Sequence, residues 1–310
     1  MNRLKIASLE VSGVCLGAMN FGTTTPEKDA FEILDAFVAA GGNFIDTSNN
    51  YAHWQGTGDE SETVLGRWLA SRGNRDKVVI ATKVGFDRHG SGQGLKRSQI
   101  EYWIDESLKK LQTDYVDLYY AHTDDPDTPL EETMSAFDTL VKKGKVRLLG
   151  GSNYDVWRFD DANYVAEKNG FTPYSVMQQR FTYLYERVDA VPKYKYNEFT
   201  SRERLRFLRA RNIPLVAYSC LAKGGYSAPE RFLSEVVTGK RYETLADLAK
   251  QKGVSPSALV IAWLVNLYRM PDCPRVIPLF SSSKMPHFLE NLSGCEINLS
   301  DEEMETLTKA

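Results

Sequence analysis

Apolar runs of three to six residues recur along this chain, each followed by a polar turn and then by a stretch with helical spacing. Strands are predicted at 43–46, 78–82, 116–121, 146–150, 174–178, 214–218 and 275–279, with Val14-Cys15-Leu16 as the first of the set. Between them, helices are predicted at 59–71, 97–111, 129–143, 155–168, 198–211 and 242–251, and from Ser255-Pro256 through Tyr268. An earlier helix opens at Thr25-Pro26, with Thr as N-cap and Pro at N1, and stops at Gly41-Gly42. Asp59 and Glu62 have the spacing of a capping box, and Ser300-Asp301-Glu302-Glu303 begins a terminal helix. Before all of these, Leu4–Ala7 and Val11–Leu16 read as a hairpin, expected to plug the bottom of a barrel.

Strands alternating with helices in this way call for βαβ units on a parallel sheet. Eight such units fit a closed α/β barrel, a (β/α)8 TIM barrel with an N-terminal β-hairpin and a C-terminal extra helix, over residues 1–310 as one domain. The competing fold, a doubly wound open sheet, calls for G-x-G-x-x-G directly after its first strand. Gly17 to Gly22 does not match that spacing, and Gly85 to Gly94 lies in a later, longer loop.

Three predicted strands end on reactive groups. Phe44-Ile45 stops at Asp46, with Tyr51 a few polar residues on; Lys83 closes 78–82, and His122 closes 116–121. In a parallel barrel such positions share one face, the one that carries the chemistry. A phenol has a pKa near ~10, and an ammonium within reach is expected to lower it. Asp46 would hold Lys83 charged and in place, while His122 would orient a carbonyl oxygen. The four together make a proton donor for an alkoxide as it forms.

Composition narrows the function classes. The chain has 310 residues, 42% hydrophobic and 25% charged, and a formal net charge of -3. That balance gives no reason to expect nucleic acid or an anionic membrane as partner. No run approaches the ~18 apolar residues of a membrane span, and Met1 to Lys5 do not open a signal peptide. Cys15, Cys220, Cys273 and Cys295 lack metal-type spacing, so free thiols in the cytosol are expected and no metal site is.

These motifs resemble the aldo-keto reductases, barrel enzymes that reduce carbonyls with a nicotinamide cofactor. The likeness runs from Leu16-Gly17-Ala18-Met19 to Asn291 and includes Asn43 to Tyr51, Ala81-Thr82-Lys83 and Tyr120-Ala121-His122. The resemblance implies Tyr51 as general acid, Lys83 and Asp46 as the groups that tune it, and His122 as the residue that orients substrate. It also implies cofactor contacts at Met19 and Asp46. Ser152, Asn153 and Gln178 would hold the nicotinamide carboxamide, with Gln179 beside Gln178 leaving the register open by one. Tyr218 would stack on the nicotinamide ring, and Ser219 and Leu221 would touch the pyrophosphate. Cys220 stands where proline is usual. Glu290 and Asn291 would bind adenine. Ser283 falls where relatives have an arginine for the 2′-phosphate, and Lys284 follows as a flexible point charge. NADPH is expected, with NADH as the alternative.

The substrate is expected to be a small aldehyde, ketone or keto-sugar, with no partner protein indicated. Phe21, Trp54 and Phe86 are candidates for the pocket wall, and 183–199, with Tyr185, Tyr194 and Tyr196, for a lid. Two other readings compete: a slowly turning, nicotinamide-holding redox-sensing subunit that resembles the potassium-channel β subunits, and a glycoside hydrolase. The hydrolase needs a second acid opposite Asp46, for which Asp124 and Asp125 are the candidates.

Overall fold

Strand parity decides what faces the lumen. In the computed structural model, which describes residues 1–87, 90, 92–187, 198–231 and 236–310, eight parallel strands close into a barrel. They are β3 (Cys15–Gly17), β4 (Phe44–Asp46), β5 (Val79–Val84), β6 (Val116–Ala121), β7 (Val146–Ser152), β8 (Tyr174–Arg180), β10 (Leu215–Tyr218) and β12 (Val276–Phe280). Neighbours follow in chain order, and β12 pairs with β3 to close the ring. Successive side chains on a strand point to opposite faces. Phe44, Val79, Ala81, Leu118, Tyr120, Val176 and Val216 accordingly pack together in the lumen. Ile45, Ile80, Tyr119, Ala121, Met177 and Ala217 pack outward against the helices.

The hairpin β1 (Arg3–Ile6) and β2 (Leu9–Ser12) turns at Ala7-Ser8, with Ala7 at φ 48. Its second strand starts two residues earlier than the sequence suggested and ends at Ser12, ahead of the separate barrel strand β3. Ile6 and Val11 join the lumen cluster, so the hairpin closes the barrel floor as expected. A short antiparallel pair, β9 (Tyr185–Glu186) and β11 (Val236–Val237), lies outside the barrel.

Ten α-helices lie among the described residues: α1 (Glu27–Ala39), α2 (Glu60–Arg72), α3 (Arg97–Leu111), α4 (Leu130–Lys142), α5 (Val156–Asn169), α6 (Arg202–Ala210), α7 (Gly239–Lys252), α8 (Pro256–Asn266), α9 (Met285–Ser293) and α10 (Asp301–Lys309). Two capping expectations fail. Thr25 is buried with its hydroxyl unpartnered, and Pro26 occupies the N-cap of α1. Asp59 pairs with Lys110 of α3, while Glu62 accepts from Thr82, so neither caps α2. The Ser300–Glu303 capping box on α10 and the Ser255 cap on α8 form as expected. α9 was not anticipated. None of the described helices is long and apolar enough to cross a membrane.

Candidate functional site

The lumen parity that buries Phe44 also turns Asp46 inward, and on β5 it carries Val79, Ala81 and then Lys83 to the same interior. The register sets Asp46 opposite Ala81 and Lys83 opposite Tyr120, which places these groups at the carboxyl ends of their strands. Lys83 and Asp46 are both fully buried and form a contact pair. The ammonium also donates to the Thr47 carbonyl at 2.7 Å and to the Tyr51 hydroxyl at 2.6 Å. Tyr51 in turn donates to Asp46 Oδ1 at 2.9 Å, and Gln178 Nε2 donates to Asp46 Oδ2 at 2.9 Å. The His122 ring meets Tyr51 edge-on at 5.9 Å and Phe86 at 4.5 Å between centroids. The four residues singled out from the sequence therefore meet at one end of the barrel.

Their electrostatics differ from the expectation in one respect. Burial, and then the Asp46 carboxylate, push the Tyr51 phenol well above the usual tyrosine value. The nearby ammonium does not make it acidic. Burial also lowers Lys83 from 10.5, with Asp46 opposing that shift. The phenol thus keeps its proton across the ordinary pH range. His122 is lowered well below 6.5, first by burial and then by the Lys83 charge, so its imidazole is neutral.

This last shift has a measurable sign. Between the depressed folded value and about 6.5, the unfolded chain binds more protons at this site, so stability rises with pH and levels off above about 6.5. Replacing His122 with Gln is expected to flatten that segment. Denaturation midpoints at pH about 5, 6 and 7 for both proteins isolate the effect, because the other three histidines are common to both. Parallel curves would reject the assignment.

The residues expected to hold a nicotinamide lie beside this centre. On β7, a Cβ at Gly150 would meet the Tyr120 ring at 2.5 Å, and one at Gly151 would meet Phe159 at 2.9 Å. Gly150 thus faces the lumen, Gly151 faces out, and Ser152 returns inward, fully buried. Asn153, at φ 58, donates to Ser152 Oγ at 3.0 Å and to the His122 carbonyl at 2.8 Å, and it accepts from the Tyr218 hydroxyl at 2.8 Å. Parity also settles the glutamines. Gln178 reaches Asp46, whereas Gln179 points the other way and donates to the Glu198 carbonyl at 2.7 Å.

After β10, Ser219 takes φ 52 and Leu221 is buried. Cys220 restores some of the stiffness a proline would give: its thiol donates to the Leu279 carbonyl, and its own carbonyl accepts from Thr182 at 2.6 Å. Ser281 carries a buried, unpartnered hydroxyl just ahead of α9. Ser283 and Lys284 are exposed at the α9 N-terminus, Glu290 is half-buried, and Asn291 donates to Ser282 at 3.3 Å. Half-buried Met19 follows β3. An orphaned hydroxyl beside a helix N-terminus suits a phosphate-bearing ligand. The half-buried Asn153 amide next to His122 and the buried Gln178 amide suit a carboxamide, so the residues fit a nicotinamide dinucleotide. Among the described residues, no group of three or more metal-ligating side chains converges.

Of the proposed pocket walls, Phe86 reaches His122, Trp54 is 58% exposed beside His53, and Phe21 is buried in the outer core. Tyr194 and Tyr196 lie outside the described residues; Tyr183 and Tyr185 both stack on Arg241, at 4.0 and 4.2 Å. Asp124 is engaged by Arg158 at 3.1 Å, and Asp125 accepts from Leu95 N at 2.7 Å and from Thr128 at 2.6 Å. Neither is free to act as the second acid of a hydrolase.

Residues 13–310 match the Aldo/keto reductase family. The chain belongs to that family. Norsolorinic acid reductase stcV of Emericella nidulans is 33% identical over 96% of this chain and 78% of that protein. AAD14 of Saccharomyces cerevisiae, whose name places it provisionally among the aryl-alcohol dehydrogenases, is 32% identical over 98% of this chain and 84% of its own. The crystal structure of the thermostable aldo-keto reductase Tm1743, in complex with the inhibitor epalrestat, superposes with a TM-score of 0.77. It shares 28% identity, covering 100% of this chain and 99% of that one. As an aldo-keto reductase, this chain is an oxidoreductase of a family that uses nicotinamide cofactors.

Proposed function

We propose that this aldo-keto reductase reduces the carbonyl of an aromatic aldehyde or aryl ketone to the alcohol, with NADPH as cofactor and Tyr51 as general acid. The observation that carries the reading is the Tyr51–Lys83–Asp46 set, in which one neutral phenol touches both a buried cation and a buried anion. When bound, the nicotinamide supplies hydride. The protein supplies the proton. Tyr51 now aims its hydrogen at Asp46 and turns it to a substrate oxygen, while Lys83 continues to donate to the phenol oxygen and steadies the charge left there. Gln178 keeps Asp46 oriented, so the ammonium stays in place through that change.

The aromatic preference rests on the rings of Phe86, His122 and Tyr51, which form one corner, and on relatives named for aryl alcohols and norsolorinic acid. Oxidation of NADPH with benzaldehyde, a linear aldehyde and a keto-sugar tests it. A kcat/KM at least tenfold higher for the aromatic compound is expected; equal values would remove the substrate class.

The cofactor preference has its own test. Lys284 is the exposed cation at the α9 N-terminus, where a 2′-phosphate would lie in relatives. An exposed pair of this kind contributes up to about 1 kcal/mol, so Lys284→Ala is expected to raise the KM for NADPH about threefold to fivefold. The KM for NADH should stay unchanged. An equal rise for both cofactors would place Lys284 elsewhere.

A further inference from the structure

The segment that follows β8 is fixed from two sides. On one side stands Arg241, buried in the first turn of α7. Its Nε donates to the Tyr183 carbonyl at 2.6 Å, and its Nη1 donates to the Leu307 and Thr308 carbonyls at 3.1 and 3.3 Å. All three acceptors are carbonyls. Two of them belong to the last turn of α10, where a helix leaves its C=O groups unpaired and favours a cation. The Tyr183 hydroxyl donates to the same Leu307 carbonyl at 3.0 Å, and its ring lies 4.0 Å from the guanidinium.

On its other side the segment grips the loop after β10. Thr182 Oγ1 donates to the Cys220 carbonyl at 2.6 Å and lies 2.8 Å from the Tyr226 hydroxyl, which accepts from Leu184 N at 3.0 Å. A carbonyl only accepts and a main-chain N–H only donates, so the direction of this chain is forced. The one hydrogen of Thr182 goes to Cys220, and Tyr226 gives its own to Thr182. Thr182, Leu184, Cys220 and Tyr226 are all buried, so bulk water does not compete for these bonds. The loop held in this way is strained. Ser219, Ala222 and Lys223 take φ of 52, 47 and 54, a left-handed conformation that residues other than glycine keep only where surrounding contacts impose it.

We propose that segment 182–184 is a latch that holds the 219–226 loop shut, with Tyr226 as its bolt and Arg241 as its anchor on α10. Both are positioning residues that act through the loop. Opening relieves the strain at three residues, so the bolt and the anchor set how often the loop opens. Ser219 and Leu221 are the residues assigned to the pyrophosphate, so a shut loop delays the departure of a bound dinucleotide. That consequence rests on the cofactor reading above; the latch itself does not.

The test begins with amide hydrogen exchange of the cofactor-free protein, native and as Tyr226→Phe and Arg241→Lys. Phenylalanine keeps the ring and loses the bolt. Lysine keeps the charge beside α10 but lacks the planar fork that reaches Tyr183 and α10 together. Exchange across 219–226 is expected to be about fivefold faster in each variant, the size of one net hydrogen bond, while β4, β5 and β6 keep their native rates. In stopped-flow fluorescence, NADPH should leave each variant about fivefold faster. A single turnover of bound NADPH with benzaldehyde should stay within about twofold of native, because the proton set is untouched.

Native exchange across 219–226 in either variant overturns the latch, and so does an acceleration spread evenly over the barrel strands. If Tyr226→Phe does not fold, Thr182→Val replaces it; if Arg241→Lys does not, Tyr183→Phe replaces it, each held to the same outcomes. A loosened loop with unchanged NADPH release overturns its hold on the dinucleotide. A protein whose loop loosens as expected but which binds no NADPH would refute the cofactor reading and uphold the latch.

Discussion

Tyr51→Phe is expected to lower kcat by roughly two to four orders of magnitude, the range that a positioned proton donor supplies. The same change should barely disturb the fold. Without the hydroxyl, Lys83 still donates to Asp46 and to the Thr47 carbonyl, so the buried ammonium keeps two acceptors. Asp46 still accepts from Lys83 and Gln178. Two hydrogen bonds of the hydroxyl are lost, at about 1 kcal/mol of stability each. Cofactor affinity, read by quenching of protein fluorescence, should stay within about threefold, because the phenol's hydrogen bonds run to Asp46 and Lys83. The decisive comparison is kcat with kcat/KM: an interaction made only in the transition state lowers both equally. A variant that retained native kcat with any carbonyl substrate would strip Tyr51 of its role.

How much of this arrangement a reader of the sequence can recover depends on how local its causes are. Strand ends were legible because parity is local: Phe44 in, Ile45 out, Asp46 in follows from the pleat alone. Helix α3 was placed to the residue because Ile100, Ile104, Leu108 and Leu111 recur at helical spacing. Helix α9 escaped notice because nine residues with two strong apolar anchors, Phe288 and Leu292, give too short a pattern, although Pro286 near its start was a usable signal. The failed capping box on α2 has a distant cause. Asp59 and Glu62 are claimed by Lys110 and Thr82, partners far along the chain, and such contacts override a local motif.

Distance also explains the two errors of emphasis at the site. The acidity expected of Tyr51 considered Lys83 as its neighbour, yet the half-buried phenol also lies against the fully buried Asp46. A sequence shows which charges are present but not how deeply they are buried. The Thr182–Tyr226 bolt was missed for the same reason, since it joins residues 44 positions apart. Gln178, left ambiguous with Gln179, is fixed by parity once Val176 is known to face the lumen.

Lys83→Met should produce the largest loss of stability, about 3–5 kcal/mol. Methionine fills much of the lysine volume, so the cost is electrical. Asp46, fully buried, would keep only the Tyr51 hydroxyl and Gln178 as donors, with no cation near. Such a buried, uncompensated carboxylate is the source of the cost. Urea midpoints of the variant and the native protein at one pH measure it. Adding Asp46→Asn removes the orphaned charge, and the double variant should recover most of the loss, since a buried ion pair replaced at both ends is often neutral in stability. Its activity should not recover, because the phenolate would still lack its cation. A stable, inactive double variant would mean that the pair is kept for proton transfer and not for folding, whereas a double variant as unstable as Lys83→Met would make Asp46 and Lys83 structural elements of the barrel mouth.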